Sequence, residues 1–174
     1  MTMGRIGIDD LENLRGLRLR GDERDELLAV ATECTFVFAG PDGWPSGVVM
    51  SFLFADGRFW LTAVRGRAHA EALAADPRVC LVVTSQGTDL VGRRMVAVRG
   101  TAVVHDDRET KDWFLPRFAA KVKAADPAEF IRLLDSPKRV VFEVTPTEVS
   151  ASHDSRKMPG DGRGGRPART TTVP

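Results

Sequence analysis

The stretch Phe59–Val83, FWLTAVRGRAHAEALAADPRVCLVV, decides how the rest of the chain is read. It predicts a strand, a basic turn, a short helix and a second strand. The β-type run Phe59–Thr62 breaks at Arg65-Gly66, after which Ala68, Ala72 and Leu73 recur at helical spacing. Asp76-Pro77 ends that helix, because proline disfavours the helical conformation in the residue before it. Val79–Val83 then reads as a buried strand. Arg65, Arg67 and His69 sit where the helix begins, although the macrodipole there favours anions over cations. An anion would reconcile them: the N–H groups of the first turn, the Thr62 hydroxyl and two guanidinium groups together suit a phosphate. Charge placement alone fits two solvated arginines on a loop equally well.

Upstream, Gly21-Asp22 opens an amphipathic helix with Asp22 as N-cap, acidic residues in its first turns and an end near Glu33. A strand over Thr35–Phe38 and a Gly40–Gly43 turn lead to a strand over Ser46–Phe54. Asp56-Gly57 signals a hairpin before Arg58–Ala63. Downstream, a polar connection over Thr84–Arg94 precedes a strand at Met95–His105. A helix follows from Asp106 to Lys123, with a break or kink at Pro116. Asp126 as N-cap and Pro127 at the first position start another short helix, and the last strand covers Arg139–Thr145, resuming beyond Pro146.

Short strands in hairpin order with few, unevenly spaced helices predict a mainly β (α+β) architecture, an antiparallel barrel with flanking helices. No G-x-G-x-x-G follows a strand, which removes a dinucleotide-binding α/β reading. The organisation expected is an N-terminal arm over 1–21, one domain over 22–158, and a disordered Gly-, Pro- and Arg-rich tail over 159–174 with almost nothing to bury.

A chain of 174 residues with 43% hydrophobic content can build a real core. No apolar run approaches the roughly 20 residues that cross a bilayer, and the N-terminus has no apolar signal region; a cytoplasmic protein without membrane partners is expected. Cys34 and Cys80 lie in apolar β-like runs at no zinc or redox spacing and read as buried free thiols. The net charge of +1 gives no general case for nucleic acid. From Ser155 onward five basic residues face one acidic, net +4, so the body carries −3 and nucleic-acid binding rests on the tail alone. His105 and His153 have no partner at metal-ligand spacing, and no metal site is expected.

The ordered series SGVVMSFLFADGRFWLTA (Ser46–Ala63), RGRAHAEAL (Arg65–Leu73), DPRVCLVV (Asp76–Val83), MVAVRGTAVVHDD (Met95–Asp107) and VVFEVTPTEVSASHD with SRKM (Val140–Met158) resembles the pyridoxamine 5'-phosphate oxidase-like FMN-binding split β-barrel family. The resemblance implies a homodimeric flavin-dependent oxidoreductase, with the cofactor at the subunit interface and hydride transfer through FMN to or from a small organic substrate. It equally admits a deazaflavin (coenzyme F-420)-dependent reductase on the same fold. It implies that the backbone of Val48, Val49, Met50 and Ser51 borders the flavin ring, and that Leu61, Thr62 and Ala63 lie beside the ribityl chain and phosphate. Arg67 matches the phosphate-binding arginine, Arg65 and His69 are helpers, Arg93 and Arg94 beside the loop before Met95 reach the partner subunit's cofactor, and Met95 stands at a position near the ring. A second basic residue often follows that arginine, but this chain has Ala68, and a glutamine position near the ring is Met95. These departures point away from pyridoxamine-phosphate oxidation itself, and they motivate a reading from another class, a non-catalytic flavin- or haem-binding protein.

Overall fold

A computed structural model describes residues 14–158; the side chains of Leu14 and Arg15, the first thirteen residues of the expected arm and the whole 159–174 tail lie outside the described residues. Helix α1 spans Gly21–Val30, α2 Ala68–Ala75, α3 Arg108–Lys121 and α4 Pro127–Leu134. The strands are β1 Glu33–Ala39, β2 Pro45–Ser51, β3 Leu53–Ala55, β4 Arg58–Val64, β5 Arg78–Thr84, β6 Arg94–His105 and β7 Arg139–Asp154. All pair antiparallel in one sheet of order β2-β1-β5-β6-β7-β4-β3.

The two edge strands, β2 and β3, are consecutive in the chain and separated only by Phe52. A sheet whose outer edges meet at one residue must curl on itself. The expected single strand over Ser46–Phe54 is therefore corrected to two strands hinged at Phe52. Its N–H leaves the sheet edges to donate to Thr32 O at 3.0 Å, and its ring is fully buried.

Strand alternation divides the apolar side chains between two cores. Phe59, Leu61 and Ala63 of β4 point into the barrel with Phe36, Phe52, Leu81, Val96 and Phe142. Trp60 points outward onto α3, where its ring centroid lies 4.5 Å from that of Trp113, with Phe114, Leu115 and Phe118 beside it. Leu27 and Leu28 of α1, and Ala70 and Leu73 of α2, also belong to the barrel core. This is the expected class, an antiparallel curled sheet with flanking helices. Among the described residues no helix is long and apolar enough to cross a membrane.

Local expectations are corrected in three places. The N-cap of α1 is Arg20, not Asp22, because Glu23 reaches back to accept from the Arg20 N–H at 2.7 Å; the helix ends at Val30, and Glu33 already begins β1. Helix α3 runs unbroken through Pro116, which is exposed, while Phe114, Leu115 and Phe118 anchor the opposite face. The last strand is one strand of 16 residues. Its register against β6 slips twice, between Ala97 and Val98 and between Arg99 and Gly100, leaving Ser150 and Thr147 as bulged extra residues. Gly100 is required at the second slip, since a Cβ there would stand 2.6 Å from Thr145 O and 2.8 Å from Val144 Cγ1. The Asp126 cap and Pro127 at the start of α4 are as expected.

Candidate functional site

The site begins at the hinge. Strand β3 pairs with β4 only over Leu53 to Trp60, Phe54 to Phe59 and Ala55 to Arg58. Traced backward through Phe52, the chain leaves β4 and joins β1, so from Leu61 onward β4 has no strand on that side among the described residues. Val48–Ser51 and Leu61–Ala63 are therefore the two lips of one split that opens from Phe52. On the β2 lip Val48 and Met50 lean against the core while Val49 is 69% exposed. On the β4 lip Leu61 and Ala63 are buried, and the Thr62 hydroxyl donates to Val140 O at 2.8 Å, which leaves its lone pairs but not its proton for a ligand.

Beyond the β4 lip comes the basic turn. Gly66 takes φ +90°, a left-handed conformation that glycine adopts without a Cβ penalty. Arg65 pairs with Asp106, Nη2 to Oδ2 at 2.5 Å, and both side chains are exposed. Arg67 is the N-cap residue of α2, is exposed, and has no ion-pair or side-chain hydrogen-bond partner among the described residues. The Ala70 and Glu71 N–H groups bond to Arg67 O at 2.8 and 3.0 Å, whereas those of Ala68 and His69 have no acceptor among the described residues.

His69 is half-buried. Its ring lies edge-on to Phe142, with centroids 6.1 Å apart, and at the same distance from Phe38. Burial, and secondarily the Arg67 charge, hold its pKa below the ordinary value of 6.5. A histidine whose folded pKa is lowered binds fewer protons folded than unfolded, so it withdraws stability as pH falls through 6.5 and adds no further loss below its folded pKa. Replacing His69 with phenylalanine is expected to flatten the fall in stability between pH 7.5 and 5, read as urea midpoints at each pH. An unchanged slope would mean that the ring protonates freely where it stands.

Arg94 and Met95 open β6, whereas the basic turn follows the end of β4 that pairs with Arg139, near the His105 end of β6. Met95 and His105 are ten residue steps apart along the strand, roughly 33 Å at about 3.3 Å per residue. One chain does not bring the two groups together. Arg94 is 3% exposed and its Nη1 donates to Glu26, a partner without a signal in the sequence, while its Nε is buried with no partner among the described residues. Met95 and His153 face each other across β6 and β7 and line a groove of about 630 Å³ with Ser85, Gln86 and Arg93. The His153 Nε2 is buried with no hydrogen-bond partner among the described residues.

The segment after β7, which the sequence left without a role, closes over α1. Buried Asp154 accepts from the Arg156 Nη2 at 2.7 Å, and Lys157 Nζ reaches Glu23 Oε2 and Arg18 O, each at 2.6 Å. The Asp154 carboxyl lies below its usual pKa because Arg156 donates to it. Both cysteines are free, and burial pushes the Cys34 thiol up to about 12, which removes it as a nucleophile.

The family profile described as Pyridoxamine 5'-phosphate oxidase matches residues 22–153. No curated protein matches the chain. Among solved structures, a conserved hypothetical protein from Mycobacterium tuberculosis superposes with a TM-score of 0.68 at 21% identity, covering 82% of this chain and 89% of that one. An F420 reductase gives a TM-score of 0.57 at 22% identity, over 72% and 94% of the two chains. HutZ, the heme storage protein from Vibrio cholerae, gives 0.59 at 14%, over 77% and 93%. At these identities the structures testify to a shared fold.

Proposed function

This chain belongs to the pyridoxamine 5'-phosphate oxidase family, and from that premise we propose that it is a flavin-dependent oxidoreductase, with FMN held in the split between β2 and β4. The observation that carries the reading is Arg67, whose guanidinium has no partner among the described residues and stands beside two helix N–H groups likewise unused among them, at the far end of the split's β4 lip. That is a donor set for one phosphate. A bound flavin would supply hydride transfer to or from a small organic substrate. The chain's own part is to hold the phosphate at Arg67 and to orient the ring along the Val48–Ser51 backbone.

Homodimerisation belongs to the same proposal. Trp44 and Val49 are 73% and 69% exposed on the β2 side, and the Met95–His153 groove can serve a cofactor near Arg67 only as part of a second copy. The likeness to an F420 reductase supports a second reading, in which a deazaflavin coenzyme replaces FMN. Its longer acidic tail asks for further free cations; of Arg65, Arg93 and Arg94, Arg65 is paired with Asp106 and Arg94 with Glu26, which leaves the exposed Arg93 for it. FMN is accordingly the first choice.

The test is a titration of chromophore-stripped protein with FMN, coenzyme F-420 and haem, followed by flavin fluorescence or haem absorbance. Binding of FMN with a Kd well below that for the other two is expected, together with reduction of the bound flavin by a reduced nicotinamide or its oxidation by an acceptor. Tight binding of haem without flavin binding would instead establish the non-catalytic haem-binding reading, which the likeness to a heme storage protein supports.

A further inference from the structure

The basic turn is partly occupied by its own chain. The Gly66 N–H donates to Glu71 Oε1 at 2.8 Å, and Asp106 takes up Arg65. Both carboxylates line, with Arg65, a groove of about 400 Å³ beside α2. Glu71 is the fourth residue of α2, and its side chain folds back over the first turn to accept from Gly66, the residue directly before Arg67. A simple N-terminal cap would instead serve the N–H groups of the second or third helical residue, and the His69 N–H stands unused.

Resting on the phosphate reading of Arg67, we propose that Glu71 is an internal competitor for that phosphate. In the free protein its carboxylate holds the Gly66 N–H; when a phosphate binds at Arg67, Glu71 gives up that donor and remains near the ligand as a like charge. Two consequences follow from the sign of its charge. It weakens the hold on any phosphate ester relative to the uncharged alcohol, and it weakens it further for each additional negative charge on the ligand. The selected class is thus a monophosphate ester with no anionic extension.

The experiment compares FMN and riboflavin, which differ only in the phosphate, on the wild type, Glu71→Gln and Glu71→Ala, with Arg67→Ala as the control. Glu71→Gln keeps an acceptor for Gly66 while removing the charge. It is expected to bind FMN about tenfold more tightly at low salt, since a like charge a few ångströms from a phosphate dianion in water-exposed surroundings is worth about that, and to bind riboflavin unchanged. The gain should shrink as salt is added. FMN affinity that stays level or falls in both Glu71 variants, with melting temperatures at the wild-type value, overturns the proposal and leaves Glu71 as a turn-closing residue. Equal tightening of riboflavin overturns it as well. If wild type and Arg67→Ala bind FMN and riboflavin alike, the phosphate reading itself falls, and that pattern is distinct from failure of the Glu71 step alone.

Discussion

Replacing Phe142 with alanine is expected to lower the unfolding free energy by about 3–5 kcal/mol, the range for a large buried aromatic cut back to a methyl group. Phe142 is fully buried on β7, between Leu61 of β4 and Val104 of β6. Its ring stacks on Phe36 at 5.8 Å and meets the edge of His69 at 6.1 Å. The void left behind would be walled by β1, β6 and β7, each hydrogen-bonded on both sides and unable to move inward to fill it, so both the transfer term and the cavity term are lost. Urea unfolding at one fixed protein concentration checks this, because subunit association would add a concentration-dependent part. The midpoint should fall with the slope unchanged. A loss under about 1 kcal/mol would mean that this end of the barrel collapses freely and is not the rigid floor under α2. Phe130 of α4, half-buried in the outer core, is the natural comparison and should cost less.

Periodicity made most of this fold legible. The stretch Phe59–Val83 forms the strand, turn, helix and strand that its spacing predicts, and the alternation of Trp60 and Leu61 separates the outer core from the inner one. What escaped the sequence depends on partners far away in the chain. Nothing in the run Ser46–Phe54 marks Phe52 as a hinge; it breaks there because Thr32 O captures its N–H and the barrel interior captures its ring. Pro116 signals a break by its chemistry, but burial of Phe114, Leu115 and Phe118 on the opposite face outweighs it. The same holds in the candidate site. Arg94 is drawn inward by Glu26, 68 residues away, and Thr62 spends its proton on Val140 O, 78 residues away. Arg67 was legible because its role needs only the local turn: a glycine at positive φ and the start of a helix.

That local logic gives the second large effect. Arg67→Ala is expected to weaken FMN binding by about 1.5–3 kcal/mol, the contribution of a hydrogen bond to a charged group, or roughly tenfold to 150-fold in Kd. Arg65→Ala should cost less, under about 1 kcal/mol, because Arg65 is exposed and already shared with Asp106. The ordering of the two arginines is the sharper part of the prediction, since any model of general positive charge makes them equal. Riboflavin removes the phosphate while keeping the ring, so neither substitution should change its affinity. The Arg67 side chain is exposed and has no ion-pair or hydrogen-bond partner among the described residues, so the melting temperature of the free protein should also stay put. Equal losses for Arg65→Ala and Arg67→Ala would mean that diffuse charge, not a positioned guanidinium, holds the ligand. An equal loss for riboflavin would move the contact from the phosphate to the ring, and with it the orientation of the cofactor in the split would have to be reversed.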